Sequence, residues 1–412
     1  MTKLNELIQQ FCPDGVEYKT LGSFATISRG GNFQKKDFRD DGFPCIHYGQ
    51  IYTKYGLFVD KTVSFISPAC ASKQKTASKN DIIMAVTSEN IEDVCKCIVW
   101  LGDGEVAVSG HSAIIRHSQN PKYLAYYFHS RMFFDQKRKL AHGTKVIEVT
   151  PDKLASVKIP LPPIEVQREI VRILDNFTEL TAELTAELTA ELTARKKQYE
   201  YYRDKLLAYN YDVELFTISD IAETSIGLAT SVSQHKRENG VILLHNSDIQ
   251  QNKIVLKTVE YISKEFAQKN KKKVLRKGDI ITVHTGDVGT SAVIDDEYDG
   301  AIGFTTITTR IKDTARVNPY FLCHYLNSHK CKQDIASMTI SDRSNLNQKS
   351  FNTIQIPVPP LEIQNRIVNV LDNFDAICSD LKIGLPAEIA ARQKQYEFYR
   401  DKLLTFKEQK SK

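Results

Sequence analysis

What the sequence lacks narrows its function before any motif is weighed. No run of about 18 apolar residues occurs, so no segment reads as a membrane-spanning helix. The opening stretch from Met1 to Gly15 has no apolar core fit for a signal peptide, and the expected location is cytoplasmic, with no membrane partner. The eight cysteines include no Cys-x-x-Cys pair and no histidine at a zinc-ligand spacing, so they read as reduced thiols. A strong charge imbalance is missing as well: 55 Lys and Arg against 50 Asp and Glu leave +5. Any basic surface for a polyanion must therefore be local.

Signatures of catalysis are equally scarce. Gly30-Gly31 and Gly102-Asp103-Gly104 do not make the strand-to-helix Gly-x-Gly loop that holds a nucleotide. Asn120-Pro121-Lys122-Tyr123 and Asn318-Pro319-Tyr320-Phe321 lack the second proline of the Asn-Pro-Pro-Tyr signature of amino-methyltransferases. An Asn cap followed by Pro at the first helical position accounts for both. His111 with Ser112 and Asp103, or His284 with Asp287, has no Ser or Cys in a nucleophile-elbow context. The expectation is no catalytic residue, no cofactor site and no metal site in this chain.

What is present is a duplication. The segment Ile159 to Leu180, IPLPPIEVQREIVRILDNFTEL, returns from Ile356 to Ile377 as IPVPPLEIQNRIVNVLDNFDAI, with twelve of twenty-two positions identical at an offset of 197. ARKKQYEYYRDKLL from Ala194 returns from Ala391 as ARQKQYEFYRDKLL at the same offset, with twelve of fourteen identical. Each copy opens on Pro-Pro and a Glu, then carries apolar residues at helical spacing, which predicts a long helix from Ile164 to about Tyr209 and a second like it. At 1.5 Å per residue the first spans about 68 Å, too long for the inside of a small globular domain.

Three TAEL words fill Thr181 to Leu192 and set Leu180, Leu184, Leu188 and Leu192 four apart, on one broad face. The second copy keeps apolar residues at Ile377, Leu381, Leu385 and Ile389. The two helices are thus expected to pack antiparallel as a coiled coil, through Ile170, Leu174, Phe177, Leu184, Leu188 and Leu192 on one and Ile367, Leu371, Phe374 and Leu381 on the other. Gly384 and Pro386 predict a break in the second helix only.

The segments before the helices match in outline but hardly in sequence. Each has an apolar strand ending in His (PCIHYGQI, VILLHNSDI), a Lys-x-Asp-Ile-Ile strand start, and an Asn-Pro helix start. The expected fold class is α/β (mixed α+β), with strand-rich globes at 1–158 and 210–355 and helices at 159–209 and 356–412. This is a pseudo-two-fold internal repeat.

Two divergent globes, each followed by a near-identical helix beginning PLPPxExQ and ending KQYxxYRDKLL, resemble the DNA-specificity subunit of type I restriction-modification systems over essentially the whole chain. The TAEL words stand where members of that family carry spacer repeats. The resemblance implies that the globes are target recognition domains for a bipartite double-stranded DNA site. It further implies that the helices bind two methyltransferase subunits and, optionally through them, two restriction subunits. S-adenosylmethionine would sit on the methyltransferases, and ATP and Mg on the restriction subunits. A self-contained DNA adenine methyltransferase and a coiled-coil scaffold without a DNA role are the alternatives.

DNA contact calls for Lys and Arg at phosphates and for Asn, Gln, Ser, Thr, Arg or Lys at base edges. In the first globe the candidates are Arg29, Asn32, Lys35, Lys36, Lys54, Thr87, Ser88, Lys139, His142, Thr144 and Lys145. In the second they are Thr230, Ser231, Asn246, Ser247, Thr285, Ser341, Arg343 and Asn345. The run Lys269 to Lys273 reads equally as a phosphate patch or a solvated turn.

Overall fold

A computed structural model describes residues 3–208, 213–338, 345–379 and 384–409. The chain forms two compact units: residues 1–186 with 389–412, and residues 187–388. Each holds one globe, the start of the helix that follows it, and the far end of the other helix.

The two globes share the core of one strand order and differ at the sheet edges. In the first unit a sheet orders Ala25–Arg29, Ser112–His117, Ile82–Ala85, Cys97–Trp100 and Phe58–Val59, and a second orders Ser64–Ile66, Phe43–Ile46, Val106–Val108 and Thr76–Ala77. In the second unit one sheet orders Ala222–Ile226, Thr306–Ile311, Ile280–Val283 and Ser291–Val293, without a fifth strand among the described residues. The other orders Lys236–Arg237, Tyr261–Ile262, Val241–Leu244 and Ile302–Gly303, its extra edge strand lying on the opposite side from Thr76–Ala77. Both second sheets contain one parallel pair, Phe43–Ile46 with Val106–Val108 and Val241–Leu244 with Ile302–Gly303. Each globe closes by pairing its first strand with its last, Tyr18–Thr20 with Lys158–Pro160 and Leu215–Thr217 with Gln355–Pro357. The expected boundaries 158/159 and 355/356 therefore fall within closing strands.

The central strands show why both faces of the sheet must be apolar. Along Ile82–Ala85 the side chains alternate between two cores, Ile82 and Met84 against the helices, Ile83 and Ala85 against the second sheet. Ile280 and Ile281 divide in the same way in the second globe. The Lys-x-Asp words before these strands also have a local cause. The middle residue has positive φ, 75° at Asn80 and 87° at Gly278, which Asn and Gly tolerate best. The following aspartate then accepts a backbone N–H (Ser78, 2.8 Å; Arg276, 2.8 Å) and an arginine from the neighbouring strand, Arg116 at 3.0 Å on Asp81 and Arg310 at 2.6 Å on Asp279.

The Asn-Pro starts are helix caps, as the sequence implies. The Asn120 carboxamide accepts from the N–H groups of Lys122 and Tyr123, and that of Asn318 from Tyr320 and Phe321. Residues Tyr123 to Phe128 and Phe321 to Leu326 are all buried, so these helices are core elements.

The repeated words of the long helices are clamps onto the globes. Gln167 and Gln364 are fully buried. Each accepts the backbone N–H of the capping asparagine (3.1 Å from Asn120, 2.8 Å from Asn318) and donates to a proline carbonyl, Pro162 or Pro359, at 2.7 Å. Two turns on, Asp175 takes Lys122 at 2.7 Å and the Tyr126 hydroxyl at 2.8 Å, while its counterpart Asp372 takes His324 at 2.8 Å. The terminal words clamp the other globe of the chain. Asp401 accepts the N–H of Arg131 at the start of helix Arg131–Leu140 in the first unit, and Asp204 accepts that of His329 at the start of helix His329–Met338 in the second.

The first long helix is continuous from Ile164 to Leu207, 44 residues, and Tyr209 lies outside the described residues. The second runs from Leu361 to Ser379 and again from Leu385 to Leu403; Gly384 is a bend just before the second stretch, Pro386 lies in that stretch's first turn, and 380–383 fall outside the described residues. Within each unit the helices pass in opposite directions: Phe177 meets Tyr399 and Thr178 meets Tyr396 in the first, and Tyr202 meets Phe374 in the second. Not every expected seam residue lies on that seam. Ile170 and Leu174, like Ile367 and Leu371, are buried in cores shared with the globes. Leu188 is buried, Leu184 and Leu192 are half-buried, Leu180 is exposed, and Leu381 lies outside the described residues.

Candidate nucleic-acid interface

In the first globe, chain geometry gathers most of the candidates along one line of contacts. Gly30 and Gly31 lie so close to the backbone of Val108 and Ser109 and to Gln74 that a Cβ at either would collide, which brings the 28–38 loop down onto the second sheet. Asn32, Lys35 and Lys36 are exposed on that loop, with the Asn32 N–H held by Gln74 at 2.8 Å. Phe33 and Phe38 pack against His47, His47 against Tyr48 (4.5 Å between centroids), and Tyr48 against His111 (4.9 Å). His47 ends its strand and caps the helix Tyr48–Thr53, its Nδ1 accepting the Gly49 N–H. Burial, with Lys35 and His111 nearby, holds this imidazole below the usual histidine range.

The line continues through Thr87, which is paired with Glu148 in the two-strand ladder Thr87–Ser88 with Ile147–Glu148. Glu148 forms an ion pair with Arg29, and the backbone of His142 bridges to Glu148. Thr144 and Lys145 are exposed on the turn between. Thr87 itself departs from the sequence expectation: it is buried, and its hydroxyl shares a hydrogen bond with His111 at 3.2 Å. It supports the surface, and Ser88 is the half-buried neighbour that reaches it. Lys54 and Lys139 are exposed at the ends of their helices, off this line.

The second globe builds the same surface from other residues. The ladder register makes Thr285 the counterpart of Thr87 and Asn345 that of Glu148. The Thr285 hydroxyl donates to Asn345 at 2.9 Å and lies 3.0 Å from the His284 ring. The His284 N–H donates to Asn246 at 3.4 Å, and the Asn246 amide donates to the Thr305 hydroxyl at 3.3 Å. His245, the counterpart of His47, lies beside Phe304 and bonds Glu260 at 3.0 Å, which also takes Lys236 at 2.7 Å. Those two partners hold the Glu260 carboxyl below the usual range. Thr230, Ser231 and Ser247 are exposed. Ser341 and Arg343 lie outside the described residues. The lysine run splits: Lys271 and Lys272 are exposed, and Lys273 donates to the Gly227 carbonyl at 2.8 Å.

Residue-by-residue reading missed His47, Tyr48 and His111, which join the loops of the first surface. The signal was the strand-ending His shared by both globes, which marks a position and not a chemistry. Burial pushes the thiols of Cys45, Cys95 and Cys331 up to about 12, so these cysteines are inert at neutral pH. Among the described residues no group of three or more His, Cys, Asp or Glu could hold a metal ion, and no helix is long and apolar enough to cross a membrane.

A core strand order used twice, clamped to repeated helices and carrying unlike polar faces, defines a duplicated recognition protein. The chain belongs to the type I restriction modification DNA specificity domain family, whose model matches residues 13–194 and again 210–391. It is 33% identical over 318 residues to a type I restriction enzyme specificity subunit of Haemophilus influenzae, covering 74% of this chain and 77% of that one. It is 34% identical over 267 residues to the EcoR124I/EcoR124II specificity subunit of Escherichia coli, covering 60% and 63%. Two solved structures share the fold: a chain from a type I restriction-modification complex (TM-score 0.71, 19% identity, 95% and 98% covered) and the HsdS subunit of Thermoanaerobacter tengcongensis (TM-score 0.55, 18% identity, 96% and 97% covered). The chain is a DNA sequence-specificity subunit and is not itself an enzyme.

Proposed function

We propose that each globe reads one half of a bipartite DNA site and that each unit seats one adenine-N6 methyltransferase subunit, with S-adenosylmethionine bound there. Restriction subunits, carrying ATP and Mg, would join through those methyltransferases. The observation that carries this reading is a contrast between clamps and faces. Gln167 and Gln364, Asp175 and Asp372, and Asp204 and Asp401 recur on repeated helices. Equivalent positions on the loop surfaces hold Glu148 paired with Arg29 in one globe and Asn345 bonded to Thr285 in the other.

Those pairs present different donor and acceptor patterns, and base edges are told apart by such patterns. An Asn amide suits adenine, whereas Arg suits guanine and Glu suits the cytosine amino group. Exposed Lys35, Lys36 and Lys145 in the first globe, and Lys236, Lys271 and Lys272 in the second, would hold phosphates and fix register.

Methylome sequencing of cells carrying this chain with its methyltransferase tests the reading. The expected result is a split motif with a methylated adenine in each half. An uninterrupted motif contradicts it.

A further inference from the structure

Each unit exposes the same small apolar patch on its helices. In the second unit Tyr201 is 61% exposed and Tyr202 39%; in the first unit their counterparts Phe398 and Tyr399, 197 residues on, are 62% and 40% exposed. The geometry repeats too, with ring centroids 5.3 Å apart at 74° in one pair and 5.4 Å apart at 73° in the other. Each pair leans on a phenylalanine of the opposing helix, Phe374 at 6.0 Å from Tyr202 and Phe177 at 6.1 Å from Tyr399. About one turn beyond that phenylalanine stands an exposed aliphatic residue, Ile377 at 49% or Leu180 at 61%.

The four rings Tyr201, Tyr202, Phe398 and Tyr399 belong to neither globe's core, and the glutamine and aspartate clamps already tie the helices to the globes. Contiguous apolar exposure marks an interaction site, and exposed aromatics are the usual anchors of protein interfaces. DNA is a poor occupant, because the patch side chains themselves are apolar rings and aliphatics, and the charges beside them are mixed, Glu200 or Glu397 before each pair and Lys205 5.9 Å over the Tyr201 ring, where phosphate binding calls for clustered cations. The outermost ring is Tyr in one copy and Phe in the other, so the occupant uses the ring and not the hydroxyl. Two copies of one seat on a single chain fit one partner taken twice. Self-association through two seats per chain would instead double up or propagate.

We propose that these aromatic pairs, Tyr201 with Tyr202 and Phe398 with Tyr399, are the anchors on which the two methyltransferase subunits dock. The inference rests on the docking reading given above and locates the seat within it. The test is native mass spectrometry of the full chain co-expressed with its methyltransferase.

Two methyltransferases are expected on the wild-type chain, one on Tyr201→Glu, one on Phe398→Glu, none on the double variant, and two on Tyr201→Phe. Because the substituted rings are exposed, thermal melting of the variant chains should match wild type. Tyr201→Ala and Phe398→Ala should each weaken titrated binding at one seat by about tenfold. Two methyltransferases on the double variant overturn the proposal and leave the docking reading standing. No methyltransferase on the wild-type chain overturns the docking reading itself. A wild-type chain that is dimeric alone, and monomeric as the double variant, also overturns the proposal, because a second copy would then be the occupant.

Discussion

At the scale of single residues, the repeated Gln of the Pro-Pro-x-Glu-x-Gln words does more than its polarity suggests from sequence. Fully buried, it satisfies an asparagine N–H and a proline carbonyl that would otherwise be stranded where globe meets helix. A buried polar group left without its partner costs about 1–3 kcal/mol. Gln167→Ala should therefore lower the stability of the chain by about 2–4 kcal/mol in urea unfolding. A loss below about 1 kcal/mol would mean that water or a neighbouring group replaces the amide. The repeat itself was legible in the sequence, and so was the Asn-Pro cap. Their bond was not, because it joins residues 47 apart through a backbone N–H that leaves no mark in the side-chain pattern. Thr87 departs from expectation for a related reason: a threonine in a polar turn looks exposed until His111 and the ladder to Glu148 cover it.

At the scale of elements, helix length and interruption were readable from period and from Gly384 and Pro386, whereas the burial of each face was not. Period 3.6 identifies a stripe but cannot say what covers it, and Ile170 and Leu174 turn inward to a globe although they continue the leucine stripe. The TAEL words permit a direct test of the helix as a spacer. Removing Thr185 to Leu188 shortens the first helix by about 6 Å and rotates its C-terminal part by about 40° beyond a full turn. With about 3.4 Å per base step, the unread spacer of the methylated motif should shrink by one or two base pairs while both half-sites keep their sequence. A changed half-site, or an unchanged spacer, would show that the helix does not set the distance.

At the scale of the whole molecule, the duplication was the most legible feature, because the helices carry the same words twice. Less legible was that the globes share a core strand order, since their sequences diverge widely and keep chiefly the Lys-x-Asp turn with its arginine partner, the strand-ending His and the Asn-Pro cap. Those survivors are the positions where backbone geometry or burial limits the choice of residue; the polar surfaces, free of that limit, differ. Modularity is the central claim, and exchange of one globe is its most direct measurement. Replacing residues 213–355 with the matching segment of a relative that has a different motif, and then sequencing the methylome, should change one half of the motif and leave the other half intact. A change in both halves would contradict the account.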